Sequence, residues 1–132
     1  MGAFVRLAFH DAGTYDRFTG FSGANASIFH EMDHPHSTGL HWALNQIVDI
    51  KNHGNHITNV LSMADLIQLG GYAAIEYLEG PIMNFRMGRV DATASDKADP
   101  GILPGPDSTL EEVEASFDRM GFNKQEIIAI MG

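Results

Sequence analysis

The sequence predicts a mainly α-helical protein of about five helices joined by long loops rich in glycine and proline. Apolar residues recur at i, i+3 and i+4 spacing in several segments, which is the period of an amphipathic helix. A Ser or Thr followed three residues later by Glu, the capping-box pattern, precedes one such segment. Residues 79–107 hold four of the five prolines, so this stretch is predicted to form loops with at most short strands.

The first predicted helix includes Arg6 to Asp11 and ends near Gly13. Its Arg6, Phe9 and His10 share one face, because residues three and four apart are neighbours on a helix. A His can accept and return a proton near neutral pH, while an Arg stabilises developing negative charge, so this face suits cleavage of a peroxide bond. The alternative is a helix end whose Arg and His are merely solvated.

Two helices are predicted in the middle of the chain. Ser37 or Thr38 caps the first, which ends around residues 52–54 and turns inward an apolar stripe of Leu40, Ala43, Leu44, Ile47 and Val48. Ser62 caps the second, which runs to about Leu78. The second helix is apolar on nearly every side and contains Gly70 and Gly71, so it is predicted to be buried with a neighbour packed closely against it.

Asp65 lies within this buried helix, where a charge needs a partner because its desolvation is costly. Arg89 is the candidate partner. The two are predicted to form a structural ion pair and not a catalytic one.

Two helices are predicted near the C-terminal end. Capping boxes begin the first at Ser108 or Thr109, Gly121 ends it, and its predicted inward residues are Leu110, Val113, Phe117 and Met120. Asn123 and Glu126 begin the second, whose apolar residues are Ile127, Ile128, Ile130 and Met131.

The segment from His30 to His34 matches H-E-x-x-H, in which two His bind zinc and Glu31 activates water. Pro35 draws His34 out of the helical region, and no third ligand follows at a usual spacing. The histidines here are therefore predicted to be surface or loop residues, and no metal site is assigned: His30, His34, His36 and His41. A zinc hydrolase is a distant alternative.

Composition excludes several other classes of function. The chain has 132 residues, enough for one domain with a real core, and no apolar run long enough to span a membrane. Eight scattered basic residues against seventeen acidic ones give a net charge of -9, which argues against nucleic-acid binding. Without cysteine, no disulfide framework is possible.

The residues from Arg6 to Ala12 resemble the distal motif of the plant, fungal and bacterial haem peroxidases, R-x-x-[F or W]-H-x-A. The continuation to Asp16 resembles class I of that superfamily, the ascorbate peroxidase branch, and most of all its ascorbate-peroxidase-related group. Further matches follow in the family's order at residues 31–35, 39–40, 62–66, 80–81, 88–91, 103–104 and 126–132.

The resemblance implies a haem-peroxidase-like orthogonal helical bundle and haem b in the full-length family. It implies that His10 acts as acid and base, that Arg6 stabilises the leaving oxygen and that Phe9 packs over the haem. Leu103 and Pro104 are expected along the haem edge. Glu31 and Ser37 are expected behind the helix, where Ser37 replaces a family Asn that orients the distal His, so the position of His10 is less securely held.

The resemblance also implies that residues 1–132 are the distal half of the family's domain, without its N-terminal helix and with the proximal haem-binding His expected two residues beyond Gly132. The parent reaction is the reduction of hydrogen peroxide with electrons from a small external donor. This chain is expected to be inactive alone, with haem uncertain or absent.

The alternative is a non-catalytic, peroxidase-like accessory subunit of a larger plastid assembly. In both cases a protein partner is expected to cover the exposed haem-facing surface, because large apolar patches usually mark an interface. The expected location is intracellular, with the chloroplast stroma or thylakoid lumen as the candidate compartment.

Overall fold

The structure is a computed structural model that describes residues 1–131, in which six α-helices are joined by long loops. The predicted mainly helical class is confirmed, and within the described residues no strand forms beyond one isolated bridge between Asp16 and Phe21. The helices are α1 Gly2–Ala12, α2 His41–His53, α3 His56–Val60, α4 Met63–Tyr77, α5 Leu110–Met120 and α6 Lys124–Met131. Short 3-10 turns lie at Ser27–His30, Pro35–Ser37 and Ala94–Asp96.

The main core forms where α1 and α2 pack against α4. Its buried side chains include Leu7, Ile28, Leu44 and Ile67. The two glycines of α4 allow this contact. A Cβ atom at Gly71 would lie 2.7 Å from the Cβ of Ala8, and one at Gly70 would lie 3.0 Å from Ile47 Cδ1. The predicted close approach of neighbouring backbone is therefore confirmed, and it fixes the position of α1.

Side-chain hydrogen bonds fix α1 further. The carboxylate of Asp11, wholly buried, accepts from the backbone N–H of Ala26 at 3.0 Å and of Ile28 at 3.3 Å. On α4, Gln68 Nε2 donates to the carbonyl of Ala8 at 3.0 Å. Hydrogen bonds therefore connect α1 both to the loop that follows it and to the middle of α4.

A second, smaller core lies beneath α5 and α6, where Phe117, Met120, Ile127 and Leu103 are buried together. Arg119 links this core to the end of α1, because its Nη2 donates to the carbonyls of Gly13 at 2.8 Å and Ile102 at 3.2 Å. Phe9 is half-buried against this second core. One face of α1 therefore packs against the main core, and the adjacent face, through Phe9, packs against the second core.

Two predictions about helix ends and faces were wrong, and at α5 the structure selects one of the two predicted caps. Neither Ser37 nor Thr38 caps α2, whose N-cap is Leu40, because Pro35 starts a 3-10 turn that includes Ser37. At α5 the cap is Thr109, whose side chain accepts from Glu112 N, while Ser108 Oγ accepts from Gly105 N in the preceding turn. Leu110 is 72% exposed because the first turn of α5 projects beyond the core.

The predicted helix α4 begins as expected, with Ser62 Oγ accepting from Asp65 N. Asp65 is almost fully buried, and its Oδ1 lies 2.9 Å from Arg89 Nη1. Burial opposes ionisation of this carboxyl, but hydrogen bonds from Gly88 N and from Arg89 outweigh it and lower its pKa. Asp91, which the sequence did not single out, accepts from the first N–H groups of α4 at Met63 and Ala64.

None of the helices within residues 1–131 combines the length and the apolar character needed to cross a bilayer.

Candidate functional site

The structure places Arg6, Phe9 and His10 side by side on the face of α1 that is turned away from the main core. The Arg6 guanidinium is anchored by the loop before α2, donating from Nη1 to the carbonyl of Thr38 and from Nη2 to that of His36, both at 2.9 Å. These two bonds use two of its five N–H donors, so three remain for a ligand. The anchored Arg is a fixed positive charge at a solvent-facing position.

Phe9 lies between its neighbours and the second core. Its ring stacks on Phe117 of α5, with centroids 6.1 Å apart, and stands edge-on to His10 at the same separation. These contacts on two sides restrict the ring, so Phe9 forms a firm apolar floor beside the two polar side chains.

An open cleft of about 670 Å³ runs along this face of α1. Val5, Arg6 and Phe9 form one wall, and Ile130 and Met131 at the end of α6 lie opposite. The remaining lining is apolar and comes from the ends of α1, α4 and α5: Gly2, Ile75, Leu78, Gly80 and Phe117. Apolar clefts of this size, with few polar groups, are typical of cofactor sites.

His10 follows Phe9 on α1 but is not among the residues that line this cleft, and it is half-buried. Burial, the Arg6 charge and the nearby His36 together lower its pKa from 6.5 to about 4. The imidazole is therefore neutral at physiological pH and able to accept a proton. Its Nδ1 atom is buried and has no hydrogen-bond partner among residues 1–131.

The segment behind His10 differs from the sequence prediction. His34 lies in a loop, as one of the two expectations had it, but it is only 3% exposed and so is not a surface residue. His36 is half-buried, with its ring 5.1 Å from that of His34 and 5.6 Å from that of His10. The other two histidines do not join this group: His41 is exposed and His30 lies in the preceding 3-10 turn.

Glu31 and Ser37 are both completely buried in this segment. Glu31 Oε1 accepts from Ala98 N at 2.9 Å, whereas its Oε2 and the Ser37 hydroxyl have no partner among the described residues. No hydrogen bond joins Ser37 to His10 in this part of the chain.

Neither Leu103 nor Pro104 is among the residues that line the cleft beside α1. Leu103 is buried in the second core and borders a separate small cavity that His36 also lines. Pro104 is half-buried beside it. A role for these two residues at a cofactor edge stays a prediction.

Sequence reasoning missed two contributors to the site, Asp11 and His36. Four histidines within residues 30–41 were a visible signal, but their burial depends on how the loop folds against Ala98 and α1. The anchoring role of Asp11 could not be predicted from local spacing, because the amides that it binds lie fifteen and seventeen residues further along the chain.

A helical domain that presents Arg, Phe and His on one helix face beside an open apolar cleft has the features of a peroxide-handling oxidoreductase. A model of the peroxidase family matches residues 1–132. The chain is 40% identical to peroxisomal L-ascorbate peroxidase 5 of Arabidopsis thaliana over 130 residues, which cover 97% of this chain and 44% of that protein. The chain therefore belongs to the peroxidase family.

Mitochondrial cytochrome c peroxidases are similar to the same extent. That of Cryptococcus neoformans var. grubii is 37% identical over 131 residues, covering 97% of this chain and 34% of the fungal protein. That of Neurospora crassa is 38% identical over 131 residues, covering 97% and 36%. The resemblance to class I haem peroxidases is thus confirmed.

The chain spans between 34% and 44% of the length of these three relatives. Their names place them in peroxisomes and mitochondria, so they give no support to the expected chloroplast location.

The cleft beside α1 fits haem, the cofactor that the family implies. Its lining offers apolar side chains on both walls for a flat macrocycle, and Arg6 is the single charged residue among the ten that line it. Within the described residues, Arg6, Phe9, Ile130 and Met131 are placed to hold such a group.

Proposed function

We propose that this chain supplies the peroxide-binding side of a haem peroxidase that reduces hydrogen peroxide with electrons from an external donor. The observation that carries the proposal is the α1 face, where an anchored Arg6 and a neutral His10 accompany Phe9, and where Arg6 and Phe9 line an apolar cleft. Bound haem would supply the iron that binds peroxide and exchanges electrons with it.

His10 would act first on the peroxide. Because its pKa lies near 4, the imidazole is neutral at pH 7 and accepts a proton from the peroxide oxygen nearer the cleft. It then returns that proton to the far oxygen, which leaves as water. A single group with a lowered pKa therefore serves as base and then as acid.

Arg6 would stabilise the far oxygen as the O–O bond breaks. Its guanidinium is already oriented by the carbonyls of His36 and Thr38, so little reorganisation is needed when negative charge develops. Phe9 would exclude water from the space between them, because its ring is fixed by Phe117.

The peroxide reaction needs two electrons and two protons to give two molecules of water, and the electrons would come from a small donor. The relatives are named for two different donors, ascorbate and cytochrome c. The described residues of this chain do not distinguish between them.

A second candidate function is that of a non-catalytic accessory subunit. It is favoured by the exposed apolar side chains that line the cleft, Leu78, Ile130 and Met131. An apolar surface of this kind is normally covered by a partner. In this case the α1 face would be retained for packing, and no haem would bind.

A haem titration separates the two functions. The purified protein is titrated with haem, and the Soret absorption is followed in the wild type and in Ile130→Glu, which places a carboxylate on the cleft wall opposite Arg6. Ile50→Glu is the matched control, because Ile50 on α2 is exposed to a similar degree, 44% against 48%.

The peroxidase proposal predicts stoichiometric haem binding, weakened at least tenfold in Ile130→Glu and unchanged in Ile50→Glu, followed by consumption of peroxide when a donor is added. Absence of a Soret shift at haem excess would reject that proposal and leave the accessory function.

A further inference from the structure

Three potential metal ligands meet in the buried segment behind His10. Glu31, His34 and His36 each offer one ligand atom, and these atoms all lie within 4.8 Å of one another. Glu31 is completely buried, His34 is 97% buried and His36 is half-buried. Such a group of one carboxylate and two imidazoles occurs nowhere else in residues 1–131.

The ligand atoms of this group lack protein partners. Glu31 Oε2, both ring nitrogens of His34 and His36 Nε2 are buried without a hydrogen bond in the described part of the chain. Leaving a buried polar atom unsatisfied is costly, and three neighbouring side chains whose ligand atoms lie within 4.8 Å of one another and lack partners are unusual unless they share a ligand. A cation that accepts all three side chains would satisfy them together.

We infer that Glu31, His34 and His36 form a binding site for a divalent transition-metal ion of the zinc type. Two imidazoles and one carboxylate are a set that zinc uses in proteins, with a fourth position left open. Ser37, which follows His36 in the chain, also has a buried hydroxyl without a partner among the described residues.

The separations are compatible with such a site. Zinc binds imidazole nitrogen at about 2.0–2.1 Å, so tetrahedral ligand atoms lie about 3.4 Å apart. The three candidate atoms, all within 4.8 Å of one another, reach that spacing by side-chain movements of about 1 Å.

The surroundings already orient the ligands. Ala98 N donates to Glu31 Oε1 at 2.9 Å and leaves Oε2 for the ion. Asp33 Oδ1 lies 3.9 Å from His34 Nε2, and Lys97 holds the Asp33 carboxylate at 2.7 Å. A separation of 3.9 Å is too long for a hydrogen bond, but it places a carboxylate near one ring nitrogen of His34, as is common beside a metal-binding His.

This site is not the H-E-x-x-H motif that overlaps it in sequence. That motif needs His30 and His34 as ligands and Glu31 as a base, whereas the structure brings Glu31 itself to His34 and His36 and leaves His30 outside. The H-E-x-x-H site would require His30 as a ligand, whereas the site inferred here requires His36. Replacing each of these two residues in turn therefore distinguishes the two sites.

The test measures zinc bound to the purified protein, by elemental analysis after dialysis and by competition with a chromophoric chelator. Four proteins are compared: wild type, His36→Phe, Glu31→Gln and His30→Ala. His36→Phe keeps a ring of similar size at a half-buried position, so the fold is expected to persist, and circular dichroism without metal checks this.

We expect one zinc ion per wild-type chain and a melting temperature that rises when zinc is added. His30→Ala should bind as the wild type does, while His36→Phe and Glu31→Gln should bind at least about 100-fold more weakly, because each loses a direct ligand. No tight zinc ion in the wild type would overturn the inference. So would wild-type affinity in a folded His36→Phe protein, or loss of zinc on removing His30 alone.

Discussion

Asp11 offers the sharpest test of how the fold positions the site, because one carboxylate ties α1 to the loop that leads to Glu31. It is completely buried and accepts from Ala26 N and Ile28 N, whose amides have nowhere else to donate if the carboxylate is removed. Asp11→Ala therefore leaves two buried donors unsatisfied. The loop between α1 and the 3-10 turn at Ser27–His30 is expected to loosen.

The size of the effect follows from these two bonds. An unsatisfied buried amide costs about 1–3 kcal/mol, so the loss of two such bonds in Asp11→Ala should lower the free energy of unfolding by about 2–6 kcal/mol. At about 3–5 °C per kcal/mol for a domain of this size, the melting temperature should fall by at least about 6 °C. Asp49→Ala on the exposed side of α2 is the control, expected to change the free energy by less than about 0.5 kcal/mol.

The pH dependence gives an independent check with a defined sign. Burial raises the pKa of Asp11 from 3.8 to about 7, against the opposing hydrogen bonds from Ala26 and Ile28, and the Glu31 charge adds to the rise. Between pH 3.8 and 7 the native state therefore holds more protons than the unfolded state, so the contribution of Asp11 to stability is lost as the pH rises through this range.

Asp11→Asn resembles the protonated acid and cannot titrate. Its stability relative to the wild type should therefore increase between pH 5 and pH 8, as measured by urea unfolding followed by circular dichroism. A melting temperature of Asp11→Ala within 2 °C of the wild type, with a flat pH profile of the Asn variant, would refute this account of the anchor.

Three further predictions concern the helices that support the site, each measured as thermal unfolding. Arg89→Ala should lower the free energy of unfolding by about 2–3 kcal/mol, because it leaves the buried Asp65 carboxylate without its partner. The loss is smaller than for a fully buried pair, since the Arg89 side chain is 27% exposed. An unchanged melting temperature would contradict the ion pair. Gly71→Val should cost about 2–3 kcal/mol, since even a Cβ would lie 2.7 Å from that of Ala8, and a stabilised variant would rule out the close contact. Thr109→Ala should cost about 1 kcal/mol through loss of the α5 cap, whereas Ser108→Ala should cost less.

The parts of the fold that were predictable from sequence depend on local signals. Ser62 and Thr109 mark helix starts, Gly121 marks a helix end, and the glycine pair of α4 indicated a close helix contact. The alignment of Arg6, Phe9 and His10 follows from helical geometry alone, so it too could be predicted without knowledge of the tertiary structure.

The rest depends on contacts between residues distant in the chain. His34 was expected to be a surface or loop residue; it lies in a loop but is buried, in a segment where Glu31 accepts from the amide of Ala98, sixty-seven residues away. Leu110 fits an inward helical stripe but belongs to a turn that no other element covers. Neither outcome is encoded in local spacing, since both depend on which loop lies opposite.

The rate constant for the reaction of the haem-loaded protein with hydrogen peroxide tests the central claim most directly. His10→Leu removes the proposed acid and base, and His41→Leu, on the exposed surface of α2, is the control. We predict that His10→Leu reacts about 10²–10⁴-fold more slowly than the wild type, while His41→Leu reacts at the wild-type rate. A His10→Leu protein that binds haem and reacts within threefold of the wild type would contradict the role assigned to the α1 face.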